Sequence, residues 1–238
     1  LVTMEVTDDV VLEAVESGCD CIVAFHPLIF APLTSLRDNE RVGRLCMQLI
    51  RHSIALVVAH TNFDAFPRGT STLLAERLGL PVRRRLVDDP VREGFGMGVV
   101  AEPDVPLSSQ ELLERLHTVC NSPLRYTPGV DAPIQRIAIV GGSGSSFMSK
   151  ALAAQADVFI TADIKYHDFH RVRGAMWLID PGHYEMEQFV AEGLLHIVTE
   201  ILRPTAAAVR RSQVLPNPVF YYPGTDTYKH AQQEYLTV

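Results

Sequence analysis

A chain of 238 residues with 47% hydrophobic side chains can bury a sizeable core in one large or two joined domains without staples. Its net charge of −7 argues against a general nucleic-acid surface, and no apolar run approaches the roughly 20 residues that span a bilayer. Four cysteines, at 19, 21, 46 and 120, lack Cys-x-x-Cys spacing and read as reduced thiols of a cytoplasmic protein.

The opening Leu1–Thr7 reads as a strand, without the basic n-region or cleavage site of a signal peptide. A helix is predicted near Asp9–Ser17. The apolar run Cys21–Phe30 follows, in which Pro27 ends a strand immediately after His26. A second helix is predicted near Asn39–His52. Ile54–Ala59 reads as another buried strand and delivers His60-Thr61-Asn62-Phe63-Asp64. A helix over Thr70–Leu78 stops at Gly79 with Pro81 behind it. Arg83-Arg84-Arg85 is a short basic run answered by Asp88-Asp89, and reads as a solvated edge or subunit contact rather than a phosphate site.

The strand Gly94–Ala101 opens a second unit, followed by an N-capped amphipathic helix over Ser108–Val119. Pro133–Val140 is a strand running into the glycine-rich loop Gly141–Ser146. The backbone of that loop could cradle a phosphate or simply turn the chain. It is not a Walker A loop, because Lys150 comes too late. Ala156–Ala162 is an apolar strand ending among Asp163, Lys165, His167 and Asp168. Ala175–Ile179 is a further buried strand, turned by Asp180-Pro181-Gly182 into one long helical pattern from Tyr184 to about Leu202. The apolar tail Val214–Tyr222 reads either as a subunit contact or as an internal strand.

Alternating strands and helices predict an α/β fold: two intimately joined α/β subdomains, 1–90 and 91–238, with the C-terminal segment free to pack back on the first. In such sheets ligands collect beyond the carboxyl ends of strands. Four strands here end in ligand-type residues, which points to a metal cleft between the subdomains. His183 and Glu187 are four apart on a helical pattern, so imidazole and carboxylate project from one face. Taken singly, His26 or His60 reads first as a hydrogen-bonded structural residue, and the His183–Glu187 pair as a solvated first turn; the four segments together reverse that order.

Four motifs occur in this order: Phe25-His26-Pro27-Leu28-Ile29-Phe30, His60-Thr61-Asn62-Phe63-Asp64-Ala65, Ile164-Lys165-Tyr166-His167-Asp168, and Gly182-His183-Tyr184-Glu185 with Glu187. From Val2 to about Val219 the chain resembles the Nif-three-like dinuclear metal centre family, whose members are also called GTP cyclohydrolase I type 2 homologs. It looks like the short form, without the inserted domain of some members. The resemblance implies that His26, Asp64 and Glu187 hold one divalent metal, and that His183 and a shared Glu187 hold a second. Many members have two consecutive histidines where this chain has Phe25-His26. One firm ion and a second, weaker one are therefore expected. The resemblance further implies a ring-like hexamer, a trimer of dimers, and a natural segment preceding Leu1.

A mixed nitrogen and oxygen donor set without cysteine suits Zn, Fe, Mn or Co. Such an ion lowers the pKa of bound water to about 7. His60, His167 and Asp168 are then the candidate acid–base residues. Metal-dependent hydrolysis of a nucleotide-like small molecule is the leading expectation. A non-catalytic metal-binding scaffold or regulatory partner is the alternative, because structural and catalytic metals draw on the same residue types.

Overall fold

The computed structural model describes residues 1–205 and 207–222; the far end of the expected second subdomain, 223–238, lies outside the described residues. In chain order the first elements are β1 (Val2–Thr3), α1 (Asp8–Glu16), β2 (Cys21–Ala24), α2 (Arg41–Arg51), β3 (Ala55–Val58), α3 (Thr61–Asp64) and α4 (Thr70–Arg77). Next come β4 (Val82–Asp88), β5 (Gly96–Ala101), α5 (Ser109–Cys120), β6 (Arg125–Thr127) and β7 (Ile137–Ile139). The remainder is α6 (Met148–Ala153), β8 (Val158–Ile160), α7 (Tyr166–Val172), β9 (Trp177–Asp180), α8 (His183–Glu187) and α9 (Val190–Leu202). The α/β class is as expected. By internal contacts the described residues divide into Leu1–Phe63 with Gln188–Pro216, and Asp64–Glu187 with 217–222.

The first unit is a three-stranded parallel sheet in the order β1-β2-β3. Thr7 starts α1, its hydroxyl accepting from the Val10 N–H at 3.2 Å while Asp8 and Asp9 sit in the positive first turn. That helix buries Val10, Val11 and Ala14 against Ile22 and Ala24 of the central strand and Leu45 and Leu49 of α2. Burial of such apolar area, at about 25 cal/mol per Å², is what holds the layer on the sheet. The chain returns at Ser212, whose N–H bonds the Val2 carbonyl and whose hydroxyl donates to Glu13 at 2.5 Å.

Ile54–Ala59 departs from expectation. Its strand is the edge of the sheet and not a buried one: Val57 is 51% exposed and Val58 37%. An apolar run specifies a strand but not how many of its faces are covered.

The second unit is a six-stranded mixed sheet in the order β4-β5-β7-β8-β9-β6. Strands β7, β8 and β9 run parallel, in the registers Ile137↔Val158 and Val158↔Trp177. The strands β4 and β5 continue the sheet antiparallel on one side, and β6 closes the other. Its core includes Val100, Ala138, Phe159, Met176 and Leu178. The helix α5 begins at Ser108, whose hydroxyl accepts from Glu111 N–H at 3.2 Å, and stops at Asn121 in the left-handed conformation.

Three local expectations change. The long helix expected from Tyr184 is two helices, α8 and α9, separated at Gln188 and Phe189. No proline or glycine marks the break; it falls where the chain passes from one unit to the other. The segment Val214–Tyr222 forms no strand, although Val214 packs partly against the first core. The basic run takes its direct bonds away from Asp88-Asp89, with Asp88 acting on Arg85 only as a nearby charge: Arg83 pairs with Asp104 at 3.1 Å, and Arg85 donates to the Gly94 carbonyl and Thr72. No described helix is long and apolar enough to cross a membrane. The four cysteines carry free thiols, and burial pushes that of Cys120 up to about 12.

Candidate metal centre

Three adjacent parallel strands of the second unit lead to residues that meet at one edge of their sheet, beyond their carboxyl ends. Strand β9 passes through Pro181 and Gly182 into α8. The turn is fixed by Asp180, a buried carboxylate that accepts from the N–H groups of Gly182 and Ile164 at 3.0 Å each and pairs with Arg125. Gly182 takes φ +96, a conformation that side-chain-bearing residues avoid.

The first helical turn then places His183 and Glu187 on one face. Nε2 of His183 lies 3.1 Å from Oε2 of Glu187. The imidazole is 37% exposed and the carboxylate 4%. Strand β8 leads to Asp163, which adopts φ +56 and sets Oδ2 2.7 Å from Nδ1 of His183. Strand β7 leads to Gly142 at φ +60, where a Cβ would lie 2.5 Å from Oε1 of Glu187 and 3.3 Å from Nε2 of His183. The space over the pair is thus held open by the absence of a side chain.

With a carboxylate at each ring nitrogen, His183 is held as an imidazolium. Its pKa is pushed up from 6.5 to about 9, first by the hydrogen bond to Glu187; burial opposes this and Asp163 adds to it. The raised value means that this pairing stabilises the metal-free fold fully below about 6.5, and the stabilisation is lost as pH rises through about 9.

Asp64 accepts from Thr70 Oγ1 at 2.6 Å, and Thr70 packs against Gly141, the neighbour of Gly142. The glycine-rich loop itself is tied down by hydroxyls: Gly141 N–H bonds Ser71 Oγ at 3.0 Å, and Gly144 N–H bonds Thr161 Oγ1 at 2.8 Å. Those two donors serve the turn and are not presented as a phosphate cradle. The loop's contribution is room beside Glu187.

In the first unit, the central strand β2 leads directly into Phe25 and His26. The His26 N–H bonds the Met4 carbonyl at 2.9 Å, and its Nδ1 lies 3.1 Å from Oε2 of Glu5. Glu5 is in turn held by Arg41 at 2.8 Å, which lowers the Glu5 pKa together with His26 against the opposing effect of burial. The His60 ring stands 5.3 Å from Phe25 and 5.7 Å from His26, both edge-on. Phe25 is fully buried and also meets Phe63 at 6.1 Å.

His167 and Asp168 find partners on their own helix. His167 is exposed and packs edge-on to Tyr166 at 5.3 Å, while Asp168 pairs with Arg171 at 3.2 Å. Sequence reading did not single out Asp163 or Glu5 as partners of the histidines. The available signals were an acid directly after an apolar strand in one case and an acid at the end of the first strand in the other.

The donor chemistry fits a divalent metal. An imidazole and a buried carboxylate converge in the second unit beside an opening that any side chain would fill, and no cysteine takes part.

Comparison with known proteins places most of the chain among related sequences and folds. The family description Duf34/NIF3 (NGG1p interacting factor 3) matches residues 1–218. A Nostoc protein named GTP cyclohydrolase 1 type 2 homolog is 37% identical over 199 residues, covering 82% of this chain and 75% of the relative. A Lactococcus lactis protein of the same name is 33% identical, covering 92% and 84%. Among solved structures, a Staphylococcus aureus hypothetical protein superposes with a TM-score of 0.81 at 30% identity, covering 92% of this chain and 86% of that one. A Bacillus cereus protein related to NIF3 shares the fold at a TM-score of 0.79 and 20% identity. With the family description matching residues 1–218 and relatives above 30% identity over most of its length, the chain belongs to the DUF34/NIF3 family.

Proposed function

We propose that this protein holds a divalent transition metal through His183, Glu187, Asp64 and His26, and uses it in hydrolysis of a nucleotide-like small molecule. The observation that carries this reading is the His183–Glu187 pair, backed by Asp163 and faced by side-chain-free Gly142. His26 and Asp64 enter as ligands from the family resemblance and from their places at strand and helix ends. The nucleotide assignment rests on the name of the relatives, GTP cyclohydrolase 1 type 2 homolog.

A bound ion of this class supplies water acidified to a pKa of about 7 and a charge that polarises a substrate oxygen. This chain's residues supply the rest. His183 gives up the Nε2 proton that it otherwise shares with Glu187, while Asp163 keeps the proton on Nδ1. His60, His167 and Asp168 are the proposed proton-transfer groups. A metal-holding scaffold without turnover is the second reading, favoured by the ties of His167 and Asp168 to their own helix.

Elemental analysis of protein purified without chelator, followed by a turnover screen on purine nucleotides, separates the two readings. Zn, Fe, Mn or Co with ring opening or hydrolysis supports the enzyme; metal without turnover on any nucleotide supports the scaffold. Calcium alone would count against both.

Proton release provides a further check. Because His183 stays protonated up to about pH 9, Zn²⁺ uptake at pH 7 should liberate close to one proton from this residue. Apparent affinity should then rise by up to ~10-fold per pH unit between about 6.5 and 9. Calorimetry in buffers of different ionisation enthalpy reads this directly, and a pH-independent affinity across that range would contradict it. The homo-oligomer, a hexamer in this proposal, is measured by light scattering at micromolar concentration, where a monomer would refute it.

A further inference from the structure

The two metal-type histidines share a feature that the ligand assignment does not contain. In each unit the Nδ1 of the histidine faces a carboxylate: Asp163 at 2.7 Å from His183, and Glu5 at 3.1 Å from His26. An imidazole coordinates through one nitrogen, and which one is decided by the hydrogen bond at the other. A carboxylate on Nδ1 keeps the proton there and leaves the Nε2 lone pair for a cation.

Both carboxylates are themselves fixed. Asp163 sits in the left-handed region at φ +56, a conformation that aspartate and asparagine tolerate better than other side chains. The residue before it is pinned by the Ala162 N–H to the Gly142 carbonyl at 2.8 Å. Glu5 accepts from Arg41 at 2.8 Å, and the same guanidinium binds the Val6 carbonyl at 2.7 Å. The His26 backbone is tied to Met4, so rotation of its ring is the freedom that Glu5 removes. For His183 the result is visible in the geometry: Nε2 already points at Glu187.

We propose that Asp163 and Glu5 are positioning residues that select Nε2 of His183 and of His26 as the metal-binding nitrogens. This rests on the metal-binding reading above. Neither residue touches the metal; each acts through its histidine, by fixing the ring orientation and the tautomer and by raising ligand basicity.

The test uses the full chain and Zn²⁺, with affinity measured by competition against a chromogenic chelator at one fixed pH, and Co²⁺ absorption as a probe of coordination geometry. Asp163→Gly removes the carboxylate while accepting the positive φ, so the variant should stay folded, with an unfolding midpoint lowered only by the lost contact to His183 and the added freedom of glycine. Its Zn²⁺ affinity should fall by ~10–100-fold, with a changed Co²⁺ ligand-field band. Asp163→Asn keeps both the backbone conformation and an oxygen acceptor for Nδ1–H, and should recover most of the affinity. Glu5→Gln should likewise lose less than Glu5→Ala. Unmodified protein that binds Zn²⁺ and an Asp163→Gly variant that binds it equally well, with the same Co²⁺ spectrum, would overturn the positioning role alone. Unmodified protein that takes up no Zn²⁺ would overturn the metal-binding reading, and the positioning role with it.

Discussion

Replacing Glu187 with alanine should lower the Zn²⁺ affinity of the purified chain by at least ~100-fold, the upper end of what loss of a supporting partner costs. Glu187 is 4% exposed, lies 3.1 Å from Nε2 of His183 and borders the opening at Gly142. It is the carboxylate that the family resemblance shares between two ions, so its removal takes a ligand from both. The same substitution should drop the His183 pKa from about 9 back toward 6.5, because the bond to Glu187 is the largest cause of the shift. A two-dimensional NMR titration of the imidazole resolves that change without any metal present. Losing one charge-assisted hydrogen bond should also cost about 1.5–3 kcal/mol of stability near neutral pH, toward the lower figure because the histidine is partly solvated. Retained affinity with a lowered His183 pKa would mean that the metal, if it binds, does not use this pair.

Substituting Phe25→His should raise the metal-to-chain ratio from about one toward two while destabilising the metal-free protein. The family pattern places a histidine at this position in many members, where it would serve the second ion. In this chain the phenyl ring is fully buried, with the rings of His26 at 4.9 Å, His60 at 5.3 Å and Phe63 at 6.1 Å. A histidine there exchanges aromatic packing for a smaller polar ring. If its N–H finds no partner, the cost is about 1–3 kcal/mol. Excess Zn²⁺ should restore the loss by mass action, since the ion binds only the folded state. Paired melting curves with and without Zn²⁺, together with a titration endpoint, provide the readout. Two equally tight sites in the unmodified chain would show that another residue already stands in for the missing histidine.

Much of the local structure is readable along the chain because it depends on residues a few positions apart. The hydroxyls of Thr7 and Ser108 cap the helices that follow them, and Asn121 ends one in the left-handed conformation. The four-residue spacing of His183 and Glu187 places them on one helical face wherever that helix sits. The α/β class and the ligand-type residues at strand ends follow from the same kind of information, apolar runs punctuated by turn residues.

Other features depend on distant segments meeting, and no local pattern encodes them. Val57 and Val58 form an apolar run like those of the core strands, yet their strand lies at a sheet edge. Strand β6 pairs with β9 across more than fifty residues, and the helix expected as one piece breaks at Gln188–Phe189 without a breaking residue. Asp163 and Glu5 reach His183 and His26 from 20 and 21 residues away. Gly142 opens the space beside Glu187 only because β7, β8 and β9 are neighbours in the sheet. By itself, then, the sequence determined which donor atoms this protein has and which secondary elements carry them. The tertiary structure decided which carboxylate holds each imidazole, because a hydrogen bond of about 3 Å depends on where non-local packing puts both ends.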